Sequence, residues 1–249
     1  MSEEEEILAF PKHQRLRVPT GWELGRNKFY DLEPKDGALL YEDVRNGWSL
    51  FEQDLLSCFH EKLNIFLNLS WLPYYDPNGQ YVLSFTKNND WLNNDTICET
   101  RSKAQIVAAV EQTMLQISCE NGDYNLEAKN VSLQPLRFNS VRWLVVKNEM
   151  FEQLNPSGEM QVKGLHNKDS WQLMSEDLLR LEWSRDGKTQ IQLGWFPAHN
   201  KHGAFRILAT TAKYFDPPLV NYSTADKNEA VEIIEHLIKE IHRVEPLKK

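Results

Sequence analysis

Apolar and polar residues alternate over Leu63, Ile65, Leu67, Leu69 and Trp71, and again over Ile191, Leu193 and Trp195. A period of two places the apolar side chains on one face of a strand and the polar ones on the other. Each run ends in a Trp-apolar-Pro step and a short loop closed by glycine, "WLPYYDPNG" at 71–79 and "WFPAHNKHG" at 195–203. Beyond the loops, Tyr81, Leu83 and Phe85 resume the alternation in one place, and Phe205, Ile207 and Ala209 in the other. Upstream, "DLLRLEWSRDGKTQIQLGW" reads as strand, Arg-Asp-Gly turn, strand. "RLRV" and "GWELGRNKFYDL" add strand-like stretches near the N-terminus. The pattern predicts antiparallel meanders.

The period then lengthens. Ile106, Val110, Met114 and Ile117 recur at helical spacing, as do Ala230, Ile234, Ile238 and Ile241, so each set predicts a helix with one apolar stripe. Ser102 with Gln105 and Asp226 with Glu229 have the spacing of a capping box at the helix starts.

These elements recur in one order. "GWELGRNKFYDLEP" at 21–34 aligns with "RWLVVKNEMFEQLNP" at 142–156, and "WSLFEQDLL" at 48–56 with "WQLMSEDLL" at 171–179. Trp71, Pro73 and Gly79 align with Trp195, Pro197 and Gly203, and helix 102–117 with helix 226–241. The offset moves only from 121 to 124 residues. The expectation is an α+β fold made by tandem duplication, each unit an antiparallel β-meander sheet covered by a C-terminal α-helix. The divisions are an acidic segment at 1–14, a first unit at 15–120, a polar linker at 121–132 and a second unit at 133–244.

A chain that is 41% hydrophobic and 26% charged has the composition of a globular protein. No apolar run approaches the roughly 20 residues of a membrane span, so no membrane role is expected. The start "MSEEEEILAF" lacks the positive region of an export signal. Cys58, Cys98 and Cys119 are odd in number and widely spaced, which fits reduced thiols in a cytoplasmic protein. The net charge of −8 is uneven. Residues 1–125 hold 20 acidic and 11 basic side chains, net −9, and residues 126–249 hold 16 and 17, net +1. Phosphate binding needs clustered Lys and Arg, so nucleic acid is not an expected partner. A basic protein surface matches the first half better.

Catalytic and cofactor motifs are absent from the sequence. There is no GxGxxG, no GxxxxGK[ST] and no GxSxG. "HEKLN" at 60–64 lacks the second histidine of a zincin, and His199 and His202, three apart, have no nearby cysteine or carboxylate as a third ligand. His166 lies elsewhere in that half. Asp54 and Asp177 are the clearest acids common to both halves, and each precedes a Leu-Leu pair on a predicted strand. No catalytic residue, metal or cofactor is therefore assigned. Aromatic residues beside carboxylates are the composition of a protein-binding patch, with rigid anchors for affinity and charges for partner choice. Tyr74, Tyr75 and Asp76 form one such group, Asp90, Trp91 and Asp95 a second, and Glu42 with Asp43 add acidity.

"GWELGRNKFYDLEP", then "DLL", "LSWLPYYDPNGQYVLSF" and "SKAQIVAAVEQTM" together resemble small immunity proteins encoded beside bacterial polymorphic and contact-dependent toxins. The resemblance spans most of each half. It implies a cytoplasmic antitoxin that binds a cognate toxin domain and occludes its active site. Many such toxins are nucleases with basic clefts, which an acidic inhibitor occupies in place of nucleic acid. The competing class is a small-molecule or carbohydrate binding module, or a degenerate enzyme, using a cleft between two units.

Overall fold

The computed structural model describes residues 7–41, 44, 46–88, 90, 94–124, 132–138, 143–156, 170–183 and 187–244. Its strands are β1 (Ile7–Leu8), β2 (Trp22–Asn27), β3 (Leu40–Tyr41), β4 (Leu56–His60), β5 (Ile65–Leu72), β6 (Gln80–Lys87), β7 (Asp95–Thr100), β8 (Trp143–Asn148), β9 (Leu179–Trp183), β10 (Gln190–Phe196), β11 (Ala204–Thr210) and β12 (Val220–Thr224). The two long helices are α1 (Lys103–Glu120) and α2 (Lys227–Val244). β1 and β3 form a small parallel pair. The other ten strands form one sheet in the order β12-β11-β10-β9-β8-β2-β4-β5-β6-β7.

This corrects the expected fold class. The strands do not form two duplicated meander sheets, each under its own helix. A single mostly antiparallel sheet of ten strands carries only two long helices among the described residues. The physical reason lies in strands whose partners are remote in sequence. β2 has a neighbour on both sides, with Glu23 opposite Leu144 on β8, so the sheet does not end at the expected boundary between units. A strand edge left open exposes unpaired N–H and C=O groups, and pairing removes that exposure.

The chain divides into two compact units, neither of them continuous in sequence. One contains Met1–Leu16 and Leu24–Thr113; the other contains Arg17–Glu23 and Met114–Lys249. α1 is therefore shared at Thr113/Met114 and is not the cover of one unit.

In the first unit the β4–β5–β6–β7 meander builds the core. Cys58 on β4 pairs with Leu67, Leu67 with Phe85, and Trp71 with Tyr81. Ile65, Leu67, Leu69 and Trp71 are buried, as the alternation predicts. Leu63 is not part of the strand. It ends a 3-10 turn, and Asn64 follows in the left-handed region at φ 51°, which restarts the phase at Ile65. Phe85 is only half-buried, because the β6–β7 register shifts between Leu83 and Ser84 and buries Ser84 and Thr86 instead.

In the second unit β9 to β12 form the meander, with Phe205, Ile207 and Ala209 fully buried. α2 packs on β10, β11 and β12 through the predicted stripe of Ala230, Ile234, Ile238 and Ile241. On α1 the stripe departs from expectation at its end, where Ser118 is buried and Ile117 only half-buried. Ser118 takes that place because its hydroxyl accepts the Trp22 indole N–H (3.1 Å) and donates to the Thr20 carbonyl (2.8 Å). Tyr124 is a buried hub of the same unit. Its hydroxyl accepts from Thr20 N and donates to Asn148 O, both at 2.8 Å, and Asn148 Nδ2 donates to Val18 O at 2.8 Å. Much of the expected linker at 121–132 and the middle of the Arg-Asp-Gly turn lie outside the described residues.

The helix starts are capped through a relay. Ser102 N donates to Thr100 Oγ1 (3.1 Å), whose hydroxyl donates to Gln105 Oε1 (2.6 Å), while Gln105 N donates to Ser102 Oγ (3.3 Å). At α2, Asp226 N donates to Thr224 Oγ1 (3.0 Å), and Thr224 donates on to Glu229. A threonine two residues before the cap carries the contact that a capping box makes directly.

Candidate functional site

The loop after Trp71 is held from inside. Trp71 is fully buried, and its indole Nε1–H donates to the Asp76 carbonyl at 2.9 Å. Gly79 N donates to the same carbonyl at 3.0 Å. Asp76 Oδ1 accepts from Asn78 N at 2.7 Å, the bond that closes an Asx turn. Tyr75 sits in the left-handed region at φ 61°, and its N–H donates to Phe51 O at 2.8 Å. The Leu72–Pro73 bond is cis. Gly79 lies so close to the indole that a Cβ there would stand 2.3 Å from Trp71 Nε1. Arg101 completes the frame, donating to Pro77 O at 2.6 Å and lying over the Trp71 ring.

The loop after Trp195 has the same construction. Trp195 Nε1–H donates to Asn200 O at 2.7 Å, His202 N to Asn200 Oδ1 at 2.9 Å, and Gly203 N to Asn200 O at 3.0 Å. His199 takes the left-handed place at φ 58°, its N–H donates to Met174 O at 2.8 Å, and Phe196–Pro197 is cis. One scaffold thus presents two different tips, Tyr-Tyr in the first loop and Ala-His in the second.

The first tip is the candidate site. Tyr74 and Tyr75 are 55% and 51% exposed, their rings edge-to-face with centroids 5.2 Å apart, and Leu72 beside them is 39% exposed. Large side chains half in water on a braced backbone can bury a partner's surface at little entropic cost.

The structure brings together Tyr74, Tyr75 and Asp76. It separates them from Asp95, which opens β7 opposite Phe85, about 17 Å along β6 from the loop at the usual strand rise. Asp90 follows the far end of β6 and is exposed there, its N–H donating to Lys87 O at 3.1 Å. Trp91, Glu42 and Asp43 lie outside the described residues. An acid that sequence reasoning missed stands closer to the loop. Glu99 on β7 is exposed and accepts from Gln80 Nε2 at 2.7 Å, at the residue that leaves the loop. Only the β6–β7 register places it there; nothing in its sequence neighbourhood marks it.

The remaining candidates have structural settings. Asp54 pairs with Arg26 at 3.5 Å and Asp177 with Lys147 at 3.7 Å. "HEKLN" is the β4–β5 turn, with His60 buried at the strand end. Among the described residues no group of three His, Cys, Asp or Glu is placed to hold a metal; His166 lies outside them. None of the three cysteines is in a disulfide. Burial pushes the Cys58 thiol up to about 12 and raises the Tyr81 and Tyr124 hydroxyls, which are core positions. Lys227 moves the other way, down to about 8, because burial outweighs the nearby Glu152. Its ammonium donates to Phe151 O (3.0 Å) and Glu152 O (2.8 Å), which ties the start of α2 to the segment after β8.

No known protein family matches the chain, and neither a curated protein nor a solved structure matches it significantly. Among the described residues, no helix is long and apolar enough to cross a membrane.

Proposed function

We propose that this chain is a non-enzymatic immunity protein that binds a basic toxin domain and blocks its active site stoichiometrically. Cytoplasmic residence and a nuclease as the toxin belong to the same proposal. The observation that carries it is the exposed, edge-to-face Tyr74–Tyr75 pair on a loop braced by Trp71, in the half of the sequence with net charge −9. The aromatic pair supplies the anchor, while Asp76 and Glu99 supply charge beside it. Carboxylates farther away, Asp90 and Asp95 among them, contribute to the long-range field that draws in a cationic partner.

The experiment is co-expression with the product of the adjacent gene, scored for rescue of growth and for a 1:1 complex by size-exclusion chromatography with light scattering. Tyr74→Ala with Tyr75→Ala is expected to weaken that complex by about 2 kcal/mol or more, roughly 30-fold, as loss of an aromatic hot spot does. Asp76→Asn separates charge from architecture, because Asn200 makes the same turn in the second loop. It is expected to leave stability unchanged and to make binding weaker and less sensitive to salt. A complex indifferent to the tyrosine pair would place the binding face elsewhere. Failure to rescue growth together with absence of a complex would remove the immunity reading.

A further inference from the structure

The two outermost strands of the sheet differ in how they meet solvent. β7 carries Asp95 and Glu99, and its pairing with β6 is broken by a register shift. Charges and bulges of this kind keep an open strand edge from recruiting another strand. β12, "VNYST", has no charge and no proline, and pairs with β11 in unbroken register from Val220 to Thr224. Among the described residues no strand covers its outer side.

The geometry points to a second copy of this chain as the occupant, with β12 pairing antiparallel to β12 of the other copy about a two-fold axis at Tyr222. That register sets Tyr222 against Tyr222, Asn221 against Ser223 and Val220 against Thr224. Aromatic, polar and β-branched residues each meet their own kind, and no like charges are opposed. The charge distribution favours the same edge. Residues 126–249 sum to +1, so two copies meet through β12 with little repulsion, whereas pairing through β7 would bring two halves of −9 together. Phe215, 75% exposed, lies in the loop that leads into β12. In the antiparallel arrangement that loop projects past Thr224 of the other copy, where an apolar ring gains cover.

A five-residue edge makes a small interface, so the dimer is expected to be weak, with a Kd on the order of 10–500 μM. Sedimentation velocity of the full chain from about 5 to about 1,000 μM spans that range and is expected to show a reversible monomer–dimer equilibrium. Ser223→Glu faces Arg206 across the β11–β12 pair, which suits the monomer, and places a carboxylate from each copy beside the axis. It is expected to weaken dimerisation at least about tenfold. Thr96→Glu on β7 is expected to change nothing. Amide hydrogen exchange on the unaltered chain gives a second reading, with β12 amides gaining protection as concentration rises and β7 amides not. A chain that stays monomeric throughout, a Ser223→Glu variant that dimerises like the original, or β12 amides indifferent to concentration would each overturn the proposal.

Discussion

Glycine 79 is where the first loop is most tightly constrained. Gly79→Ala would set a methyl group 2.3 Å from Trp71 Nε1 and 2.7 Å from the Pro73 carbonyl, and a backbone carbonyl has no rotamer to give way. The expected cost is about 1–3 kcal/mol, as for other overpacked interiors, read as a lower urea midpoint with an unchanged slope. The Trp71 indole N–H resonance should shift in the same variant, since the bond to Asp76 O must lengthen. An alanine variant as stable as the parent would show that the indole does not fix this glycine. The sequence displays the Trp-apolar-Pro step and the closing glycine in both loops. The reason they travel together is a hydrogen bond from a side chain to a carbonyl five residues on, together with a left-handed tyrosine or histidine. Neither leaves a periodic trace, so the anchors are legible and the bracing is not.

At the scale of elements, the helices carry a dependence on pH. Lys227 lies at the start of α2 with its ordinary value of 10.5 lowered to about 8 by burial. Between those two values the unfolded chain holds a proton that the folded chain has released, so stability rises with pH across the window. The contribution is fully present above about 10.5 and is lost as pH falls through about 8. Lys227→Met is expected to flatten that rise in a series of thermal melts from pH 7 to about pH 10.5. If the slopes of parent and variant coincide, the lysine is not the group responsible. Periodicity finds the buried stripe of α2, because that face packs on three consecutive strands, although the helix runs three residues past the expected end. It misplaces the end of the α1 stripe by one residue, because Ser118 is buried for its hydrogen bonds and not for its hydrophobicity. The strand phases fail for related reasons at Leu63, displaced by a left-handed turn, and at Phe85, displaced by a register shift.

For the whole molecule, the local pattern is blind to which strands become neighbours. Alternation gives each strand two faces but says nothing of its edges, and the place of β2 beside β8 depends on a pairing more than a hundred residues apart in sequence. The same blindness split the candidate patch, because Asp90 and Asp95 follow Tyr74 closely in sequence yet lie at the other end of a long hairpin. The segment Arg17–Glu23 has a practical consequence. It belongs to the compact unit formed otherwise by residues after Thr113, where Thr20 serves Tyr124 and Asn148 and Val18 receives the Asn148 amide. A gene cut in the polar stretch at 121–132 would yield a C-terminal fragment missing two pieces of its own compact unit, Arg17–Glu23 and Met114–Glu120. That fragment is expected to be poorly folded when expressed alone; one that begins at Met114 is expected to recover cooperative unfolding when a peptide covering residues 15–25 is supplied or grafted ahead of it. Recovery at the same level without the peptide would show the segment to be dispensable. The boundary that a sequence editor would choose is therefore not a boundary that the folded chain recognises, and domain exchange between such proteins has to carry this N-terminal stretch along with the C-terminal half.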